Sequence, residues 1–197
     1  MPLGDPNAAA VGELLIAAGE ADAQPSGQAE RTELRFKKRQ LKPEEGQKIV
    51  DEAATWEGTP YLSSGKGENS RKGADGEADC SGSTCYIYQN AGYSYGGFMP
   101  TETFATYVTS DKSRFVEIPD IKDAQPGDIL FWPGHMAIFA VFPEDFKKSW
   151  NIIENKYTLP NMWTARRTGK LYSAMCWETF RKGAVPIVYR YMIEEKE

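Results

Sequence analysis

The chain has 197 residues and a mass of 22.0 kDa, which fits one domain of ordinary size with an extension. Its net charge of -5 and isoelectric point near 5.1 lack the basic footprint that nucleic acid requires, and they disfavour electrostatic docking to anionic lipid. No window approaches 18 consecutive apolar residues, so we expect no membrane-spanning segment. From the charge and this absence together, we expect neither a nucleic-acid nor a membrane partner.

The N-terminus carries none of the usual marks of an exported protein. It begins without the basic residues of a secretory signal, and Gly12 and Glu13 interrupt the apolar stretch at residues 8–18. Three cysteines are an odd number and form no disulfide framework. We therefore expect synthesis in the cytoplasm, with any export using a route that does not read such a signal.

Residues 1–41 are predicted to form an N-terminal extension, with a short helix at 8–18 and a flexible linker at 24–27. The charged run at 31–42 fits a strand or a solvated arm, and the alternation around Leu34 and Phe36 favours the strand. The compact domain is predicted to span residues 42–197.

Within that domain, helices come first and strands follow, which is typical of an α+β fold with an antiparallel sheet. Helices are predicted from Pro43 to Trp56, 80–90 and 101–108, with proline and acids in the first turn of the first one. Short apolar runs between Gly, Pro and Asp predict strands at 115–118, 128–132, 136–142, 150–154 and 185–192.

Two residues are candidates for nucleophilic chemistry. Cys80 follows Asp79, the expected N-cap, so it lies in the first helical turn, where unpaired N–H groups and the helix dipole lower a thiol pKa. His135 is the single histidine and opens an apolar run after a tight turn, so it alone can supply an imidazole base. The alternatives are structural: Cys80 would be a small buried apolar residue, and His135 would be hydrogen-bonded to a backbone carbonyl.

Five short motifs in order resemble the NlpC family of cell-wall cysteine peptidases, which have a papain-like core; they are GTPY (58–61), DCSG (79–82), MPT (99–101), QPGDILF (125–131) and GHMAI (134–138). The similarity covers about residues 42–155 and weakly 185–191. It implies that Cys80 is the nucleophile, that His135 is the base, that the hydroxyl of Tyr61 lies beside the thiol, and that no metal or cofactor is needed.

The third catalytic residue orients the imidazole, and the family carries it on the strand after the histidine strand, often as a second histidine. This chain has no second histidine. Glu154 at the end of the predicted strand 150–154 is the best match, because a carboxylate fixes the tautomer and stabilises the imidazolium. Asn151 and Asn155 are rivals, and an exposed strand end is the structural alternative for Glu154.

Candidate substrate contacts near the thiol are Tyr61, Asp79, Ser81 and Gly82, the last because a glycine would let a substrate backbone approach closely. Two segments depart from the family. The polar loop at 62–78 is longer than usual, and residues 156–182 are an addition that forms either a groove wall or a cover for the sheet.

The resemblance implies hydrolysis of peptidoglycan stem peptides, most often between γ-D-glutamate and the diamino acid. With no signal peptide expected, the chain resembles the toxic amidase effectors of type VI secretion. Those effectors act in the periplasm of a target bacterium and require an immunity protein. A CHAP-type N-acetylmuramoyl-L-alanine amidase and a non-catalytic binding module are the alternatives.

Overall fold

The computed structural model describes residues 36–61, 67–154, 159–166 and 170–196, with the backbone alone at residues 151–154. The predicted helix at 8–18 and linker at 24–27 lie outside the described residues, as does Asn155. The division of the chain at residue 42 stays a prediction. Across the four described ranges, no helix is long and apolar enough to cross a membrane.

The three predicted helices are confirmed, and a fourth is present. Helix α1 begins after Lys42, whose backbone N–H donates to the Glu45 carboxylate at 2.9 Å, so the acid of the first turn caps the helix as the sequence indicates. The described ranges contain four α-helices: α1 Pro43–Ala54, α2 Cys80–Asn90, α3 Thr101–Tyr107 and α4 Glu144–Glu154.

The described strands form one antiparallel sheet, so the α+β expectation is confirmed. Its hydrogen-bonded order is β1-β7-β3-β4-β5-β6, and β2 pairs with β7 as well. The charged run before α1 is a strand at 36–40. The bounds are β1 Phe36–Gln40, β2 Phe115–Ile118, β3 Ile129–Trp132, β4 His135–Phe139, β5 Met162–Thr164, β6 Ser173–Met175 and β7 Ile187–Lys196.

One predicted strand is wrong: residues 150–154 belong to helix α4. Phe146 and Trp150 are four residues apart and both pack against the main core, which is helical spacing. The apolar run at 150–153 resembles a strand only when these earlier positions are ignored. The next strand along the chain is β5, which lies beyond α4 and pairs with β4 on the side opposite β3.

The sheet packs on both faces. One face carries Ile129, Phe131, Met136 and Ile138, which share a core with residues of α1, α2 and α3. The other face carries Leu130, Trp132 and Ala137, which form a smaller cluster with Phe180. Alternate residues of β3 and β4 are therefore buried on opposite sides, which explains their nearly continuous apolar sequence.

Candidate active site

Cys80 is the first residue of α2, and Asp79 is its N-cap as predicted. The Asp79 carboxylate accepts hydrogen bonds from the Gly82 backbone N–H at 2.5 Å and from the Ser81 hydroxyl at 3.0 Å. Backbone N–H groups of Met136, Ser81 and Cys80 itself favour the thiolate form of Cys80 and act to lower its pKa. The thiol therefore lies at an electropositive helix end, next to the residue that follows His135 on β4.

The environment of Cys80 corrects one expectation. Burial, together with the Asp79 charge, raises the pKa of the Cys80 thiol to about 11, and the three backbone N–H groups only partly offset these effects. The side chain is 8% exposed. Desolvation of the thiolate thus outweighs the helix terminus, and the lowered pKa expected from sequence is wrong for the ligand-free protein.

Gly82 allows close packing within the protein itself. A Cβ atom at this position would lie 2.1 Å from the carbonyl oxygen of Gly67 and 2.2 Å from the Ser70 hydroxyl. The close approach that the glycine permits is therefore made by the chain's own segment at 67–70. The space beside its Cα is thus occupied by this segment, and the substrate contact expected at Gly82 stays a prediction.

A cleft with a volume of about 300 Å³ opens beside the thiol; its lining residues are Tyr61, Asp79, Cys80, Ser81, Phe98, Pro100, Thr101 and Glu102. Burial, together with the nearby Cys80 and Asp79, raises the pKa of Tyr61 to about 12. Tyr61, Asp79 and Ser81 are thus brought together with the thiol. Phe98 and Glu102 were missed, although the MPT motif lies between them.

His135 begins β4 opposite Trp132, after the turn Pro133-Gly134 in which Gly134 has a φ of +73°. The imidazole is 3% exposed, and its Nε2 lies 2.8 Å from the hydroxyl oxygen of Thr164. Its ring centroid is 4.7 Å from that of Phe180. Burial, together with the Arg181 guanidinium, lowers the pKa of His135 to about 3.

The segment Trp177–Gly183 covers this histidine. The Arg181 guanidinium donates to the carbonyl oxygens of Pro133 at 2.6 Å and Gly134 at 3.3 Å, which anchors the turn before His135. Arg181 and Lys182 have positive φ values of 46° and 58°, a left-handed conformation that is uncommon for such residues. Part of the 156–182 addition thus covers the sheet, as one of the two alternatives predicted.

The predicted third residue, Glu154, ends helix α4 and does not lie on the strand beside β4. Thr164, the last residue of β5, takes that place and contacts Nε2. Sequence reasoning missed it because α4 separates β4 from β5 and because a threonine on a three-residue strand gives little signal.

Metal ligands are not grouped in the described part of the chain. Among residues 36–61, 67–154, 159–166 and 170–196, no cluster of three or more His, Cys, Asp or Glu side chains is arranged to hold a metal ion.

Comparison with known proteins gives only distant similarities. No protein-family model and no curated protein matches the chain. Among solved structures, NlpC2 from Trichomonas vaginalis is similar with a TM-score of 0.49 and 18% identity, over 76% of this chain and 47% of that one. A Staphylococcus aureus protein described as similar to lipoprotein, of the NLP/P60 family, has a TM-score of 0.47 and 21% identity, over 81% of this chain and 44% of its own. This chain spans less than half of each of these two proteins.

Proposed function

We propose that the protein is a cysteine hydrolase that cleaves an amide bond in peptidoglycan stem peptides, between D-glutamate and the diamino acid. The observation that carries this proposal is the position of the Cys80 sulfur. It lies at the N-terminus of α2, beside an open cleft, and the backbone N–H of Met136, the residue that follows the single histidine, lowers the pKa of the thiol.

The depressed pKa of His135 and the raised pKa of Cys80 favour a neutral thiol and a neutral imidazole before substrate binds. In the proposed reaction the sulfur attacks the amide carbonyl while its proton passes to His135, so no ion pair has to form in advance. The backbone N–H groups at the start of α2 stabilise the tetrahedral oxyanion. The imidazolium then protonates the leaving amine, and water hydrolyses the thioester to release the acid and regenerate the thiol.

The charge of the cleft supports a cationic substrate. Among the residues that the structure describes, its lining includes the carboxylates of Asp79 and Glu102 and contains no Lys, Arg or His. A diamino acid carries a second amine that is protonated at neutral pH and is attracted by these two carboxylates. We propose that Tyr61, Asp79 and Ser81 contact the substrate beside the scissile bond.

Replacing the sulfur tests the proposal. Cys80→Ala should reduce hydrolysis of purified muropeptides by about 10³-fold or more, because no other group in the cleft can form the thioester. Cys176→Ala is the matched control, since that thiol donates to Glu178 outside the cleft and its loss should leave turnover nearly unchanged. Retained activity in Cys80→Ala would contradict the proposal.

The products identify the bond. Mass spectrometry should show cleavage within the stem peptide, whereas separation of the intact peptide from the amino sugar would indicate the CHAP-type amidase. A wild-type protein that binds muropeptides but leaves their masses unchanged would be a binding module. These three outcomes are distinct for one sample.

We further propose that the protein is an antibacterial effector whose producing cell is protected by an immunity protein that blocks the cleft. The same pair of variants addresses this role in living cells. Wild-type protein fused to a periplasmic export signal should lyse a Gram-negative host cell, and the unfused protein should be harmless because the substrate lies outside the inner membrane. The exported Cys80→Ala variant should be harmless, and equal toxicity of the exported and unfused wild type would contradict the proposal.

A further inference from the structure

The Thr164 hydroxyl lies among three hydrogen-bonding partners inside the protein. Its oxygen is 2.8 Å from the Nε2 of His135, 3.3 Å from the carbonyl oxygen of Met136 and 3.3 Å from the carbonyl oxygen of Ala165. Thr164 is 1% exposed and His135 is 3% exposed, so bulk water does not compete for these bonds. The direction of each bond is therefore set by the protein groups themselves.

The number of donors and acceptors around the Thr164 hydroxyl determines the direction of these hydrogen bonds. A hydroxyl has one proton and two lone pairs, and a carbonyl oxygen can only accept. If the Thr164 proton pointed at Nε2, both carbonyl oxygens would face hydroxyl lone pairs in a buried site. If the proton points at a carbonyl, a lone pair of the hydroxyl faces Nε2, which must then be the donor.

We infer that Thr164 is a positioning residue that holds His135 in the tautomer protonated on Nε2. The inference rests on the proposed function for its consequence: Nδ1 is then unprotonated and can take a proton, which is the state that a general base requires. Phe180 and Trp132, whose ring centroids are 4.7 Å and 6.0 Å from the imidazole, restrict rotation of the ring.

A hydroxyl differs from the carboxylate expected at this position. It orients the imidazole but carries no charge to stabilise the imidazolium. The charged group that acts on the pKa of His135 is Arg181, and its positive charge disfavours the protonated ring. Thr164 therefore acts on the tautomer without raising the basicity of His135, which agrees with a ring that is protonated only during turnover.

The single histidine makes the tautomer directly measurable. After labelling with ¹⁵N-histidine, the full chain gives one pair of ring-nitrogen resonances, and at pH 7.5 we expect Nε2 to be protonated and Nδ1 to be unprotonated. Thr164→Ser keeps the hydroxyl and should preserve this pattern. Thr164→Val has nearly the same shape but no acceptor, so the proton should shift toward Nδ1.

Kinetics provide a second measurement. We expect Thr164→Val to lower kcat for muropeptide hydrolysis by about 10²-fold, the lower end of what general base catalysis contributes, and Thr164→Ser to remain within a few-fold of wild type. Circular dichroism of both variants checks that they fold. Should Thr164→Val not fold, Thr164→Ala, which also removes the acceptor, gives the same comparison of tautomers.

A wild-type ring protonated on Nδ1, or a folded Thr164→Val variant with the wild-type tautomer, would overturn the inference. The tautomer is read without turnover, so the two proposals fail separately. A tautomer that shifts between wild type and Thr164→Val, in a protein that hydrolyses no muropeptide, supports the role of Thr164 in orienting the ring and overturns the proposed hydrolysis.

Discussion

At the scale of single residues, burial acts on the thiol and the imidazole in opposite directions. Desolvation disfavours the charged form of each group, so it raises the pKa of Cys80 to about 11 and lowers that of His135 to about 3. Both shifts oppose a thiolate–imidazolium pair in the empty cleft. Substrate has to supply the interaction that makes proton transfer favourable, which limits reaction of the thiol with other electrophiles.

His135 should make the folded protein sensitive to mild acid. In the unfolded chain its pKa is near 6.5, whereas in the folded protein burial and Arg181 lower it to about 3. Between these values the unfolded state binds the extra proton, so stability is complete above pH 6.5 and falls as pH decreases toward 3. At pH 5 the expected loss is about 2 kcal/mol.

Urea unfolding of wild type and His135→Gln at pH 7.5 and pH 5 measures this effect. Glutamine is polar and does not titrate, so the variant should lose less stability than wild type between the two pH values. Because the chain has one histidine, carboxylates account for the remainder and are common to both proteins. Equal losses in the two proteins would show that His135 is protonated normally when folded.

At the scale of elements, local signals identified the parts of the site that lie close in sequence to a turn or cap. Asp79 and Gly92 mark the two ends of α2, so Cys80 was placed correctly on its helix. Pro133-Gly134 marks the turn between β3 and β4, so His135 was placed correctly on its strand. Strand β5 has three residues and pairs with β4 across the intervening helix α4. That pairing is a tertiary contact, so Thr164 could not be found by periodicity.

Gly82→Ala tests how tightly α2 packs on the segment at 67–70. Helix propensity alone favours alanine by about 1 kcal/mol. The added Cβ would lie 2.1 Å from the Gly67 carbonyl oxygen, and overpacking against backbone costs about 1–3 kcal/mol. We expect a net loss of stability in urea unfolding and weaker muropeptide hydrolysis, because the shift would displace the start of α2.

Gln89→Ala is the matched control for this change. It introduces the same side chain in the same helix at an exposed position, so it should leave the free energy of unfolding within about 0.5 kcal/mol of wild type. If Gly82→Ala proved as stable as Gln89→Ala, the segment at 67–70 would be able to move away from α2 at no cost.

At the scale of the whole molecule, one buried arginine connects segments that are far apart in sequence. The Arg190 guanidinium on β7 donates to both carboxylate oxygens of Asp128, at 3.0 Å and 2.8 Å. It also donates to the Gln40 side chain on β1 at 3.1 Å and to the Asp123 carbonyl at 2.7 Å. Strands β1 and β7 are thereby joined to the residue that precedes β3, so the sheet holds together around this side chain.

Arg190→Met should therefore destabilise the fold by about 3–5 kcal/mol in urea unfolding at pH 7.5, since it leaves a buried carboxylate without its partner. Burial already raises the pKa of Asp128, and removal of Arg190 should raise it further, because the hydrogen bond to the guanidinium lowers it. The deficit of the variant should consequently shrink at pH 5, where Asp128 is protonated more easily.

Arg39→Met, which breaks the more exposed pair with Glu45, should cost far less and show no such recovery. A small, pH-independent loss in Arg190→Met would mean that Gln40, Asp123 and Asp128 find other partners, and that the sheet does not depend on this arginine.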